Sequence, residues 1–76
     1  MEKKEYLTKR LKKGFQQTLF VDKSKDGQYR IYARVGGSRR VYRPVNRPFM
    51  TSEGAQEFLN DYAREKNLVR TYKLDR

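Results

Sequence analysis

The chain contains no cysteine, no histidine and no tryptophan, and only two prolines. Without cysteine there is no disulfide, no thiolate nucleophile and no cysteine-based zinc site, so zinc fingers are excluded; without histidine the commonest metal ligand and general base is missing. Acidic residues are scarce, 9 against 19 lysines and arginines, for a formal net charge of +10. Such an excess argues about partners rather than about fold. No apolar run approaches the roughly 20 residues that span a bilayer, and no secretory-type apolar stretch follows the lysine-rich start. The expectation is a soluble, cytoplasmic or nucleoid-associated protein without a membrane partner. No glycine-rich loop leads through a lysine into a helix, which leaves nucleotide hydrolysis unsupported.

What the chain does have is length for one domain with a small core, 76 residues, and six tyrosines and four phenylalanines in a pattern too regular for disorder. Residues 28 to 43 read as a β-hairpin around Gly36-Gly37, both strands interleaving arginine with tyrosine. Tyr29, Ile31, Ala33 and Val35 share one side of its first strand, and Arg30, Tyr32 and Arg34 share the other. A two-residue turn sets Arg30 opposite Arg43, Tyr32 opposite Val41 and Arg34 opposite Arg39. A three-residue loop turns Arg40 and Tyr42 outward and Val41 inward instead. Either way five arginines crowd sixteen residues that hold no acid. Like charges facing one another weaken a sheet, a cost that bound phosphates would relieve.

Before the hairpin, Thr18 to Val21 is β-prone and Asp26-Gly27 supplies a turn, leaving Phe20 or the Leu19 and Val21 pair for the core. After it, Pro44 and Pro48 stop the strand. Thr51 or Ser52 caps a helix in which Ala55, Phe58, Leu59, Tyr62 and Lys66 repeat at helical spacing, while Glu53, Glu57, Asp61 and Glu65 ride the other faces. Asn67 is the expected stop. Residues 1–13 carry six basic residues against Glu2 and Glu5, and Tyr6, Leu7 and Leu11 are spaced for one side of a short helix that Gly14 would end. The expected fold class is therefore α+β: a three-stranded antiparallel sheet packed on one C-terminal helix, with a basic N-terminal arm able to form a helix. Residues 1–14 are the arm, 15–68 a single βββα domain, and 69–76 a tail or short strand.

Arginine outnumbers lysine in the hairpin, and its planar fork suits phosphates and guanine edges. Nucleic-acid contacts are assigned to Arg30, Tyr32, Arg34, Arg39, Arg40, Val41, Tyr42 and Arg43, and phosphate contacts to Lys9, Arg10, Lys12, Lys13, Lys23, Lys25 and Arg47. The bland alternatives are a charged sheet surface that resists aggregation, tyrosines packed across strands, and a solubilising terminus. Glu53, Glu57 and Asp61 are explained as a solvated helix face. No catalytic residue, metal or cofactor is expected.

The order of the Asp26-Gly27 turn, the strand Gln28 to Val35, the Gly36-Gly37 turn, the strand Arg39 to Arg43, then Phe49 and residues 51–59 resembles two related families. These are the arm-binding amino-terminal domain of phage and conjugative-transposon tyrosine recombinases and the Apetala-type plant DNA-binding domain. The resemblance spans about residues 18–66 and implies a three-stranded sheet backed by a helix, its exposed face lying in the DNA major groove. It would give groove-facing roles to Arg30, Tyr32, Arg34, Arg39, Val41 and Arg43, and core roles to Phe58 and Leu59. The chain shows no recombinase catalytic domain, so the resemblance implies either an accessory DNA-binding factor, as of a mobile element, or an excised domain. Two alternatives stay open. A double-stranded-RNA-binding αβββα domain would want lysines where this helix begins Thr51-Ser52-Glu53-Gly54. A small regulator docking its hairpin on an acidic protein surface is the other.

Overall fold

The computed structural model describes residues 4–10 and 16–71. Its elements are β1 (Glu5–Arg10), β2 (Gln16–Lys23), β3 (Tyr29–Val35), β4 (Ser38–Val41), α1 (Ser52–Glu65) and β5 (Val69–Thr71). They form an α+β unit, a five-stranded antiparallel sheet in the order β4-β3-β2-β1-β5 with one helix packed on it.

The sequence pattern predicts three strands and a helix-forming arm; the sheet has five strands, and residues 5–10 are extended. The reason is long-range. A short isolated helix is marginal in water. As a strand, β1 instead shares backbone ladders with β2 on one side and β5 on the other. Its side chains then alternate: Tyr6 is buried beside Leu19, and Leu7 lies on the opposite side of the sheet, across from Thr18. The Tyr6 hydroxyl donates to Asn60 Oδ1 at 2.7 Å. Gln56, buried in α1, accepts from the Lys4 N–H and donates to the Lys4 carbonyl, both at 3.2 Å. Those bonds tie the start of β1 to the helix.

Leu19 and Val21 of β2 and Ile31 and Ala33 of β3 point to α1, where Ala55, Leu59 and Ala63 meet them. Leu19, Ile31 and Leu59 are fully buried. Thr51 is the helix cap, its Oγ1 accepting from the Gly54 N–H at 3.0 Å, with Glu53 in the positively charged first turn. At the other end Asn67 takes φ 58°, and the Leu68 N–H reaches back to the Ala63 carbonyl at 2.8 Å. This left-handed closure reverses the chain into β5.

The β3–β4 turn holds two residues: Val35 pairs with Ser38, and Gly36 alone takes a positive φ, 63°. A positive φ at the first central position is the II′ geometry that favours glycine there. Tyr32 consequently faces Val41 and Arg34 faces Arg39. The expected pair of Arg30 with Arg43 does not form, because Pro44 carries no N–H and Arg43–Val45 turns into a 3-10 helix. Phe49 then returns to β3, its backbone bonding that of Tyr29 at 2.7 and 2.9 Å.

Leu59→Ala should lower the unfolding free energy by about 2–5 kcal/mol, the range for emptying a fully buried leucine site. Thr51→Ala should cost about 1 kcal/mol, the worth of a cap bond. Urea denaturation measures both, and a Leu59→Ala loss below that of Thr51→Ala would contradict this core.

Candidate nucleic-acid interface

Strand alternation sorts the hairpin residues onto two sides. Arg30, Tyr32 and Arg34 of β3 and Arg39 and Val41 of β4 lie on the side away from α1, here the outer face, joined by Thr18, Phe20 and Asp22 of β2. Arg40 pairs with Ala33 and belongs to the helix side. Tyr42 packs against the core on that same side, its ring edge-on to Tyr62 at 6.0 Å and the two hydroxyls 3.1 Å apart. Arg43 is exposed in the 3-10 turn. The eight residues assigned to nucleic-acid contact therefore divide: five share the outer face, Arg40 and Tyr42 lie behind it, and Arg43 lies past the end of β4.

The outer face is built around an aromatic pair that the sequence reading does not foresee. Phe20 and Tyr32 sit opposite each other on β2 and β3, centroids 6.1 Å apart, each only 6% exposed although no helix of the described residues covers them. Arg34 lies over the Phe20 ring and Arg39 over the Tyr32 ring, each guanidinium carbon 4.2 Å from the centroid. Arginine stems cover apolar surface while the guanidinium stays wet, and its attraction to the ring face adds about 0.5–1 kcal/mol at an exposed site.

Each outer-face arginine also has an acidic neighbour. Arg39 Nη1 donates to Asp22 Oδ2 at 2.5 Å; Arg34 lies 4.0 Å from Glu5, and Arg30 lies 4.0 Å from Asp26. Arg30 also donates to Asn46 Oδ1 at 3.3 Å. Asp22 and Glu5 come from outside the acid-free run, so the like-charge cost of the hairpin is relieved within the fold. These pairs are partly exposed and screened by solvent, where an ion pair is worth about 1 kcal/mol or less. The Asp26 carboxyl is held below its ordinary pKa by hydrogen bonds, first from the Ser24 hydroxyl and then from the Gln28 N–H. Between that turn and β4, Ser24, Lys25, Asp26, Arg30, Tyr32, Arg39 and Val41 line an open hollow of about 370 Å³.

The phosphate candidates scatter. Lys25 is exposed at this hollow's rim, and Lys23 is exposed across from Tyr29, a core-packed residue on the helix side. Arg47 stacks on Phe49 at 4.5 Å and lies 5.5 Å from Phe58, beside the helix. Lys9 and Arg10 belong to β1, with side chains outside the described residues, and Lys12 and Lys13 lie outside them altogether. Among the described residues no helix is long and apolar enough to cross a membrane.

The missed members of the face, Phe20 and Asp22, had a readable signal: with Leu19 and Val21 inward, alternation puts both outward. Glu5 had none, because its approach to Arg34 across β2 exists only once β1 is a strand. Compared with protein-family models, curated proteins and solved structures, the chain matches none.

Burial, and then the hydrogen bond with Tyr62, push the Tyr42 hydroxyl up to about 12. The folded state thus holds this proton more tightly than the unfolded one, so stability is fully present below the ordinary tyrosine pKa and falls as pH rises from about 10 to 12. Tyr42→Phe should cost about 0.5–1.5 kcal/mol at neutral pH. It should also flatten the alkaline decline, as read from urea midpoints across that window; a decline as steep as that of the unaltered protein would contradict the assignment.

Proposed function

We propose that the chain is a non-enzymatic nucleic-acid-binding protein that engages duplex DNA through the outer face of its β3–β4 hairpin, as an accessory or regulatory factor of the mobile-element kind. The observation that carries this reading is the gathering of Arg30, Arg34 and Arg39 with Tyr32 and Val41 on one side of an edge hairpin, opposite the side that α1 occupies.

Dimensions decide how much of the sheet takes part. Neighbouring strands lie about 4.8 Å apart, so a five-stranded sheet is about 19 Å across, whereas the major groove is about 12 Å wide. A two-stranded ribbon fits it; the whole sheet does not. β3 and β4 form the ribbon at one edge, and β1 and β5 at the other edge remain outside the groove. This also modifies the resemblance to recombinase arm-binding domains, since two further strands now stand beside the three expected.

The ion pairs on the face are compatible with this role. Held at 4.0 Å, the Arg34 and Arg30 contacts leave most guanidinium N–H groups free, and an arginine has five donors to share. A guanine edge offers two neutral acceptors in the major groove, O6 and N7, which that fork matches. The order β1, β2, β3, β4, α1, β5 supports DNA over the double-stranded-RNA reading, which needs a helix where β1 runs.

In a titration with duplex DNA at moderate salt, amide shifts should concentrate at residues 29–43 and leave residues 52–65 nearly unchanged. Shifts centred on α1 would defeat the sheet-face reading. Arg34→Ala should weaken binding, about 1–3 kcal/mol on a preferred sequence, while the cooperative thermal melt is kept.

A further inference from the structure

The hairpin arginines differ in a way that deepens the DNA reading and rests on it. Arg34 and Arg39 are each stacked on an aromatic ring and set beside a carboxylate. Arg40 and Arg43 are exposed and have neither a ring nor a carboxylate partner among the described residues. They also stand elsewhere, on the helix side of β4 and just past its end, where with Gln17, Tyr42, Pro44 and Asn46 they border an open hollow.

We infer that the arginines divide the work of DNA recognition: Arg34 and Arg39 read base edges, and Arg40 and Arg43 hold the phosphate backbone. A phosphate drawn to Arg39 would be drawn equally close to the Asp22 carboxylate, and the two anions repel. A base edge is neutral and accepts from the guanidinium donors that Asp22 leaves free, with no carboxylate to expel. Ring and carboxylate also fix the side chain beforehand, which reduces the ordering lost on binding and makes the direction of its donors definite. Arg40 and Arg43 have the opposite properties. Each is an exposed positive charge with no acid among the described residues to displace, and neutralising a phosphate releases a condensed counterion. On a ribbon seated in the major groove, one side meets the base edges, and the edge and back meet the backbone walls.

The distinction is measurable as salt dependence. With a random-sequence duplex of about 20 base pairs, the plot of log affinity against log salt should flatten by about 0.9 for Arg40→Ala and again for Arg43→Ala, since each phosphate contact contributes about that much. Arg34→Ala and Arg39→Ala should change that slope by less than half as much. They should instead lose the preference that the unaltered protein shows when duplexes are selected from a random pool. Asp22→Asn, which leaves Arg39 free to take a phosphate, should steepen the slope and tighten binding to random duplex. Slopes lowered equally by all four alanine variants would overturn the division while leaving DNA binding intact, and so would an unchanged slope for both Arg40→Ala and Arg43→Ala. Failure of the unaltered protein to bind duplex DNA would instead remove the DNA reading itself, and this inference with it. Thermal melts of each variant keep loss of folding from passing as loss of contact.

Discussion

One helix serves a sheet too wide for it. An α-helix is about 10 Å across with its side chains, and a five-stranded sheet about 19 Å, so α1 seals the middle of one face, and among the described residues no layer covers the other. Most of the arrangement follows from that shortage. Leu19, Val21, Ile31 and Ala33 concentrate under Ala55, Leu59 and Ala63, where apolar burial is complete. On the uncovered side Phe20 and Tyr32 are nearly as buried, because arginine side chains lie across their rings. The stems of Arg34 and Arg39 stand in for a second layer.

That use of arginine changes what the charge of the hairpin means. A guanidinium held over a ring cannot move far, and Asp22 and Glu5 are near enough to Arg39 and Arg34 to offset their mutual repulsion. The acid-free run in the sequence is thus not an acid-free surface. Among the described hairpin residues, uncompensated charge is found instead at Arg40 and Arg43, on the back and past the end of β4. A face whose charges are balanced suits recognition by direction and shape, and an edge whose charges are not suits attraction at a distance. The proposed division of base-edge and phosphate contacts is this electrostatic asymmetry applied to a duplex.

The elements that could be read from the chain are those whose cause is local. Thr51 followed by Glu53 and the spacing of Ala55, Leu59 and Tyr62 announce α1, because cap and apolar stripe lie within one stretch. The Asp26-Gly27 and Gly36-Gly37 turns and the alternation of β3 are equally local. What escaped was non-local. Nothing within residues 5–10 marks a strand: Tyr6 and Leu7 suit a helix as well, and they become β only through ladders to residues 16–19 and 69–71. The sequence leaves β5 open for the same reason, its three residues having no partner to name until β1 is extended.

The sequence by itself determined the α+β class, the helix with Thr51 or Ser52 to cap it, the places of both turns, and the sorting of β3 into an apolar side and an arginine-bearing side. Each of these rests on backbone propensity or side-chain period over a few neighbouring residues. Only the tertiary structure decided that the hairpin turn holds two residues, that Arg40 and Tyr42 lie behind the face, and that Asp22 and Glu5 balance Arg39 and Arg34 in front of it. A single residue of register exchanges the two sides of a strand, and a charge pair across strands depends on which strand lies beside which. The register follows the two-residue form of the Gly36-Gly37 turn, one of two that the glycine pair allows, and the Arg34–Glu5 pair exists only once β1, distant in sequence, lies beside β2.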